Sequence, residues 1–310
     1  MSAAAPRRTR APIERVSVVM LAFDTPPGVL ERSVQSVLAD RTGSGGFPVE
    51  LVVIDNGASA ADRLRGVAAE VVSTGSNAGY AGGMNAGIRR ALESGADAVA
   101  LLNDDVSIDP GWLAPLVAEL DADADVGAAQ PTLLDGDGDT SAAPIVNSAG
   151  VVIDRFGAGS DRHRGALLGE VGSLPADIEA FTGGAVMLHR DFIADVGFFD
   201  ERFFLYYEDV ELARRGRRVG WRYRHVPAAT VWHVGSATTA QLGDDVRRLQ
   251  ERNRIWSSAM HGSAGELARA LSLSVRRLRH RPRRVHAVAL LQGLAGVPSR
   301  LAARAGATRR

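Results

Sequence analysis

The stretch Ala98-Val99-Ala100-Leu101-Leu102-Asn103-Asp104-Asp105 decides how the rest of the chain is read. Its five leading apolar residues predict a strand buried on both faces of a sheet. The acids that follow then stand at the carboxyl edge of that sheet, where open α/β folds bind their ligands. A second acidic pair, Glu208-Asp209, follows the apolar run Phe203-Phe204-Leu205-Tyr206-Tyr207, and the same reasoning makes that run a buried strand. Like charges gathered at one edge need a cation, a proton or a positive partner. A metal-assisted reaction on a phosphorylated substrate meets that need.

On the amino-terminal side, Val16 to Ala22 and Val49 to Ile54 are further buried strands, the second ending at Asp55-Asn56-Gly57. Amphipathic spacing predicts a helix over Val29 to Leu38, another near Ala60 to Ala69, and a short strand at Glu70 to Ser73. This alternation argues for a parallel, doubly wound sheet. Beyond Leu120 the pattern shortens. Residues 147 to 180 read as short strands and turns, followed by a strand at Ala185 to Leu188 and helices at Arg190 to Val196 and Val210 to Val219. Trp221 to His225 and Thr230 to Val234 read as two closing strands, and past residue 240 the chain is helical and increasingly basic.

The 310 residues suffice for one large α/β domain or two small ones, and 45% hydrophobic with 23% charged is ordinary for a globular protein. The formal net charge is zero but segregated: Arg269 to Arg310 holds eleven arginines and no acid, so the body before it is net acidic. Lysine is absent throughout, which coding bias explains. Cysteine is absent as well, which excludes disulfides, thiolate metal sites and a cysteine nucleophile and fits a reducing compartment. Residues 1–10 are basic, but no signal-peptide core follows them. No apolar run approaches the roughly 18 residues of a membrane span. The expectation is a cytoplasmic protein.

Several motifs carry chemistry beside a plainer reading. Asp55-Asn56-Gly57, taken alone, reads first as an Asx or Gly turn. Asn77-Ala78-Gly79-Tyr80-Ala81-Gly82-Gly83-Met84-Asn85-Ala86-Gly87 is less ordinary. Glycines at the start of a helix let the backbone N–H groups approach a diphosphate or sugar. Helix–sheet packing explains one or two of them, and the spacing matches neither a dinucleotide fingerprint nor a lysine-bearing phosphate loop. Asn103-Asp104-Asp105 supplies hard oxygen ligands suited to Mg2+ or Mn2+ on a diphosphate, or a capped turn before Asp109-Pro110. Glu208-Asp209 reads as solvated acids in a first helical turn or as a partly buried general base. His233 stands at a predicted strand end that could return to the same edge, whereas His163, His189, His261, His280 and His286 read as surface residues.

In order, these motifs are a strand ending at Asp55, Asn77-x-Gly-Tyr-Ala-Gly-Gly-x-Asn-x-Gly, Asn103-Asp-Asp, Thr182-Gly183-Gly184, Phe198-Phe199-Asp200-Glu201, Tyr207-Glu-Asp and Val231-Trp-His233. The series resembles the inverting family 2 glycosyltransferases of GT-A fold, especially bacterial rhamnosyltransferase-like members, over residues 15 to 240. The resemblance implies an α/β fold with a Rossmann-like, mostly parallel sheet flanked by helices, a nucleotide-sugar donor, and Mg2+ or Mn2+. On it, Asp55 matches the acid that meets the nucleotide base, and Asn103 and Asp104 lie near ribose and sugar. Asp105 matches a metal ligand and His233 a histidine that completes the metal site. Asp209 matches the general base, with Glu208 beside it. Ala22, Asp24, Asn77, Gly79, Gly82, Gly83, Asn85, Gly183 and Gly184 fall at substrate-binding positions. One departure is that Asn103, a neutral ligand, holds the first position of the family's Asp-x-Asp motif.

The implied chemistry is self-consistent. An acceptor hydroxyl needs a base to take its proton as it attacks, and the leaving nucleoside diphosphate gathers charge that a cation stabilises. One displacement inverts the anomeric centre and needs no covalent nucleophile. The subgroup implies rhamnose from dTDP-rhamnose, moved to a glycan or polyprenyl-diphosphate-linked acceptor in cell-envelope polysaccharide synthesis.

The expected organisation is a disordered leader at 1–14, a nucleotide-sugar-binding half at 15–120, an acceptor-binding and catalytic half at 121–240, and a helical basic tail at 241–310. In that tail, Arg276-Arg277 to Arg284 precedes the apolar Val285 to Val297, which suits peripheral contact with the cytoplasmic membrane face or an ordinary solvated helix. Rival readings stand beside the transferase. A nucleic-acid or anionic-polymer binder would use the arginines, but the acidic clusters would repel phosphate and the tail lacks interleaved aromatics, so no nucleic-acid partner is expected. A nucleotidyltransferase would carry a glycine-rich basic loop where this chain has Phe23-Asp24-Thr25-Pro26-Pro27. A catalytically inactive sugar-nucleotide-binding homologue is the alternative that Asn103 keeps open.

Overall fold

The computed structural model describes residues 8–40, 48–57, 60–67, 69–138, 143–234 and 237–307. Its first half alternates: β1 (Val16–Ala22), α1 (Val29–Ala39), β2 (Val49–Asp55), α2 (Ala60–Arg63), β3 (Glu70–Ser73), α3 (Gly79–Glu93) and β4 (Ala98–Asn103). Then come β5 (Val106–Ile108), α4 (Leu113–Ala122), β6 (Val126–Asp135), β7 (Val146–Ser148), β8 (Val151–Ile153), β9 (Gly159–Asp161) and β10 (Ala176–Asp177). β11 (Ala185–His189), α5 (Arg190–Val196), α6 (Glu208–Arg218) and β12 (Arg222–His233) lead to the helices α7 (Ala237–His261), α8 (Ala264–Arg277) and α9 (Arg283–Ala307).

Ten strands form one mixed sheet in the order β10-β12-β6-β11-β4-β1-β2-β3, with β5 on β12 and β7 on β6. β1, β2, β3 and β4 are mutually parallel, while β11 runs antiparallel between β4 and β6. Both faces are covered, as all-apolar strands require. On one face Leu30 and Val34 of α1 and Leu116 and Leu120 of α4 close over Val18, Met20, Val53 and Leu102. On the other, Met84, Ile88, Phe192 and Leu212 cover Val19, Ile54 and Leu101. Each such side chain contributes about 1.5–3 kcal/mol by leaving water.

The structure departs from the sequence-based expectation in several places. Phe203–Tyr207 is not a strand: a 3-10 turn at Glu201–Phe203 leads into bends, with Phe204, Tyr206 and Tyr207 at φ of 67°, 66° and 69°. A short apolar run is ambiguous by pattern, and this one sets Phe203 against Trp256 of α7 and Phe204 against Gly79 of α3 instead of entering the sheet. β6 was not expected, because Gly127, Gln130 and Pro131 disguise a strand. Pro131 lies beside an irregular register of β12, between Val226 and Thr230, where a missing N–H is tolerated. The two closing strands are one twelve-residue strand, β12, and α2 ends at Arg63. Of the segment expected to be disordered, residues 8–14 rest on the body, with Arg10 donating to Val126 O and Asp123 O at 3.0 Å and Ile13 buried, while 1–7 lie outside the described residues.

α7, α8 and α9 form a layer of their own. Gly293 and Gly296 of α9 seat Ile255 and Trp256 of α7, Trp256 Nε1 donates to Gly293 O at 3.1 Å, and the Arg300 guanidinium covers the Trp256 ring at 4.0 Å. His189 and His286 are buried rather than superficial, and so is the His261 side chain. His261 and His286 are tolerated there because each faces a carboxylate, Glu211 and Glu251 respectively. Among the described residues, no helix is long and apolar enough to cross a membrane.

Candidate functional site

Strand direction alone gathers most of the expected residues. The parallel register pairs Ala22 with Asp55 and Leu21 with Asn103, so three strand ends meet at one edge. β11 starts where β4 ends, which brings Gly183-Gly184 there: Asn103 N–H donates to Gly184 O at 3.1 Å. β12 finishes on the same edge, with His233 opposite Asp135 on β6 and Val106 on β5.

Asp104 and Asp105 turn in different directions. Asp104 is buried, and its Oδ2 accepts from Phe23 N at 2.9 Å and from the Thr25 hydroxyl. Burial pushes its carboxyl up to about 6. It pins the loop after β1, where Asp24 sits at φ 50°. Asp105 instead places Oδ1 3.1 Å from His233 Nε2, a charge contact off the line of a hydrogen bond. Burial works against the charged imidazole of His233, but Asp105 and Asp135 more than offset it and hold it above its ordinary value.

This corner suits a divalent cation. Asp105 Oδ1 is buried without a hydrogen-bond partner and faces His233 Nε2, and a carboxylate oxygen beside an imidazole nitrogen is a donor set for Mg2+ or Mn2+. Among the described residues no group of three or more His, Asp or Glu forms a ready cage. Two protein ligands would leave room for phosphate oxygens and water on a cation such as Mg2+, which usually keeps several waters.

The glycine-rich segment is part of α3 itself. Asn77 Oδ1 accepts from Gly79 N at 2.8 Å, and the buried Asn56 accepts from Ala78 N at 2.8 Å and donates to Gly79 O at 3.2 Å. A Cβ on Gly79 would stand 2.4 Å from Phe204 O, one on Gly83 2.3 Å from Leu21, and one on Gly87 2.2 Å from Val19. Close packing therefore explains more of these glycines than the one or two expected. Gly82 sits on the same turn, against Ala78. Asn85 is fully engaged by protein, giving and taking a bond with the Phe199 backbone at 2.9 and 3.0 Å and donating to Glu201. Asp55 is buried, and its Oδ2 accepts from Ala61 N at 3.3 Å.

Glu208 and Asp209 occupy the first turn of α6. Asp209 Oδ2 accepts from Gly183 N at 2.9 Å and Oδ1 from Val210 N at 2.7 Å. Burial raises its carboxyl to about 6 against those two N–H groups, and the charge of Asp161 adds to the rise. Glu208 is buried, with Oε2 unpartnered, and burial together with Asp209 raises it well above the carboxylate range. Tyr80 faces both acids and donates its hydroxyl to Gly183 O at 2.5 Å. Thr182-Gly183-Gly184 therefore bridges the two acidic pairs: Gly183 holds Asp209, and Gly184 holds the strand end that carries Asp104 and Asp105. Asp135, which faces His233, and Asn56 are not among the candidates that the sequence offers; Asp135 ends a strand that local pattern hides, and Asn56 reads only as a turn residue.

A family model described as Glycosyl transferase family 2 matches residues 17–194. An N-acetylglucosaminyl-diphospho-decaprenol L-rhamnosyltransferase of Mycobacterium tuberculosis is 27% identical over 214 residues, 63% of this chain and 69% of that one. The low-salt glycan biosynthesis hexosyltransferase Agl10 of Haloferax volcanii is 27% identical over 181 residues, 54% of this chain and 53% of its own. Among solved structures, GalNAc-T7 with UDP, GalNAc and Mn2+ superposes with a TM-score of 0.55 at 17% identity, over 87% of this chain and 58% of that one. The mannosyltransferase PcManGT from Pyrobaculum calidifontis with GDP-Man and Mn2+ gives 0.51 at 15% identity, over 94% and 90%. The sheet order, the helices on both faces and these likenesses make the fold GT-A with carboxy-terminal helices. With the family model spanning more than half its length, the chain belongs to glycosyl transferase family 2 and is a glycosyltransferase.

Proposed function

We propose that this glycosyltransferase uses a divalent cation and a nucleotide-sugar donor to glycosylate a hydroxyl of a lipid-linked or glycan acceptor with inversion. The observation that carries this is the Thr182-Gly183-Gly184 bridge, which fastens the Asp209 carboxylate to the strand end bearing Asp105. A base and a cation corner are thereby held on one rigid edge, where both ends of a transferring sugar can be served.

Asp209 takes the proton from the acceptor oxygen as that oxygen forms its bond to the anomeric carbon. The bond from that carbon to the diphosphate oxygen breaks, and its electron pair leaves with the nucleoside diphosphate. Asp105 and His233 would hold Mg2+ or Mn2+, which supplies Lewis-acid stabilisation to the departing phosphate when bound. Asp55, at the end of β2, is the residue we assign to the nucleotide base. Ala22, Asp24, Asn103 and the Asn77–Gly83 segment line the proposed donor side. Glu208 keeps its proton because it is buried beside Asp209, so the two neighbours divide into a titrating base and a neutral support.

The mycobacterial relative supports rhamnose as the sugar and a polyprenyl-diphosphate-linked acceptor; a place in envelope polysaccharide synthesis is part of the same proposal. A membrane-bound acceptor would favour an enzyme that rests on anionic lipid. Val275, Leu291 and Leu294 are exposed on α8 and α9, and Arg279, Arg281, Arg283 and Arg284, where α8 gives way to α9, are exposed as well, with no acid after Glu266. Arginines at headgroup level with apolar residues beneath are the pattern of peripheral docking.

The test is a panel of dTDP-rhamnose, UDP-glucose, UDP-N-acetylglucosamine and GDP-mannose, each with an N-acetylglucosaminyl-diphosphoryl lipid, in Mn2+, Mg2+ or EDTA, read by product mass. Transfer from dTDP-rhamnose that EDTA abolishes is expected. Turnover that survives EDTA would remove the cation from the proposal, and transfer only from another donor would remove rhamnose.

A further inference from the structure

Three of the four residues Phe204 to Tyr207 lie at positive φ, and none of the three is glycine. Non-glycine residues rarely adopt this region, so the surroundings must hold them there. The path matters because it ends on Glu208 and Asp209. It also forms the wall against which Gly79 packs, and Ala81 N donates to Phe204 O at 3.2 Å.

What holds the loop comes from outside the matched family region, on α7. Asn253 is fully buried, and its Nδ2 donates to Phe203 O at 2.9 Å, Leu205 O at 3.0 Å and Tyr206 O at 2.7 Å. Arg252 Nε donates to Asn253 Oδ1 at 2.8 Å, which fixes the amide with its hydrogens toward the loop; the flipped amide would set oxygen against three carbonyls. Arg252 Nη2 adds a bond to Phe203 O at 2.9 Å, and Trp256 meets the Phe203 ring edge-on at 5.9 Å. The two hydrogens of one buried amide are thus shared among three carbonyls of a loop that belongs to no strand or helix.

We propose that Asn253 is a positioning residue for Asp209, acting through loop 203–207, and that α7 is part of the catalytic body. The proposal rests on Asp209 being the base. It differs from a merely structural role, because loss of Asn253 releases the loop and the Asp209–Gly183 contact before it releases the sheet.

The experiment uses the full-length chain with Asn253→Leu, which keeps the volume and removes both donors. Ser274→Ala is the comparison: Ser274 is buried in α8 and accepts from Arg254 of α7 at 2.6 Å, so its loss loosens the helical layer while removing no hydrogen bond to the loop. Hydrogen exchange in Asn253→Leu should rise at least about tenfold over 203–210 and 182–184, with β1 and β4 unchanged. With the nucleotide sugar turned over in the donor panel, kcat should fall about 10- to 100-fold while the donor KM stays within about threefold. Ser274→Ala should show neither change. Unaltered exchange over 203–210, retained kcat, or an equal kcat loss in Ser274→Ala would overturn the proposal. If Asn253→Leu does not fold, Arg252→Leu removes the bond that orients the amide and should give the same exchange pattern at smaller size; unchanged exchange there is equally fatal. Asp209→Asn run in parallel separates the two ideas. Transfer that survives it would refute the base, while the exchange result still judges the clamp.

Discussion

Asp104 and Asp105 are adjacent carboxylates whose surroundings give them different work. Asp104 has both a backbone N–H and a hydroxyl on one oxygen, so removing it frees the loop after β1, whereas Asp105 keeps a buried oxygen without a partner beside His233. Asp105→Ala is therefore expected to weaken Mn2+ binding at least about tenfold by calorimetric titration and to abolish cation-dependent transfer, with the unfolding midpoint retained. Full cation-dependent activity in that variant would remove Asp105 from the site. Asp209 carries a prediction in pH. Its folded carboxyl titrates near 6 against an ordinary 3.8, so the acid limb of kcat should fall near pH 6, with Glu208, Tyr80 and Asp161 as the groups facing it. Asp209→Asn should lower kcat by about 10²–10⁴-fold with little change in donor affinity. The raised value also has a sign in stability. Protonated Asp209 favours the folded state below about pH 4, and that contribution is lost as pH rises through 6, where the buried charge is a cost. The Asp209→Asn change should accordingly raise Tm by at least about 2 °C at pH 7.5 and not at pH 4. A severe Glu208→Gln and a mild Asp209→Asn would reverse the two roles.

At the scale of elements, α3 shows how a sequence motif and a packing need coincide. Alanine favours a helix over glycine by about 1 kcal/mol, yet a Cβ on Gly87 would stand 2.2 Å from Val19 Cγ1, and overpacking costs about 1–3 kcal/mol. Gly87→Ala is expected to lower the urea midpoint; a midpoint that stays or rises would show that β1 yields to the extra methyl. Elements whose residues nearly all share one environment are legible from sequence, such as β1 and β4, apolar but for Ser17 and the terminal Asn103 and buried on both faces. The acids at their ends could be placed for the same reason, because strand direction sets the edge. Phe203–Tyr207 was misread because aromatic side chains are buried equally well by a strand and by a left-handed loop, and only the carbonyl partners distinguish the two. Those partners come from Asn253, about fifty positions away, and no local pattern reports so distant a donor. β6 stayed hidden because its Gly127 and Pro131 are read locally as breakers, while the fit that admits them depends on Phe192, Trp221 and the irregular part of β12.

Across the whole molecule, the charge segregation visible in the sequence acquires a direction. The acidic pairs lie at the carboxyl edge of the sheet, and the arginines of 276–284 cluster where α8 gives way to α9. Deleting this region is a poor test of membrane docking, although every motif read from the sequence precedes residue 240. α9 covers Trp256 and Ile255 on α7, and α7 holds the loop that leads to Asp209, so a truncated chain would lose stability and geometry together. Charge removal isolates the surface role. Arg279, Arg281, Arg283 and Arg284 are exposed, and changing all four to Gln should leave the unfolding midpoint and donor KM near their original values. Each arginine near an anionic surface contributes about 1 kcal/mol, so the four changes together should weaken vesicle binding by about 100-fold or more. Binding of the original chain should rise with the anionic lipid fraction and fall between low and physiological salt, as screening shortens the reach of each charge. Equal sedimentation of both chains with phosphatidylglycerol vesicles at low salt would exclude the arginine cluster as the docking surface.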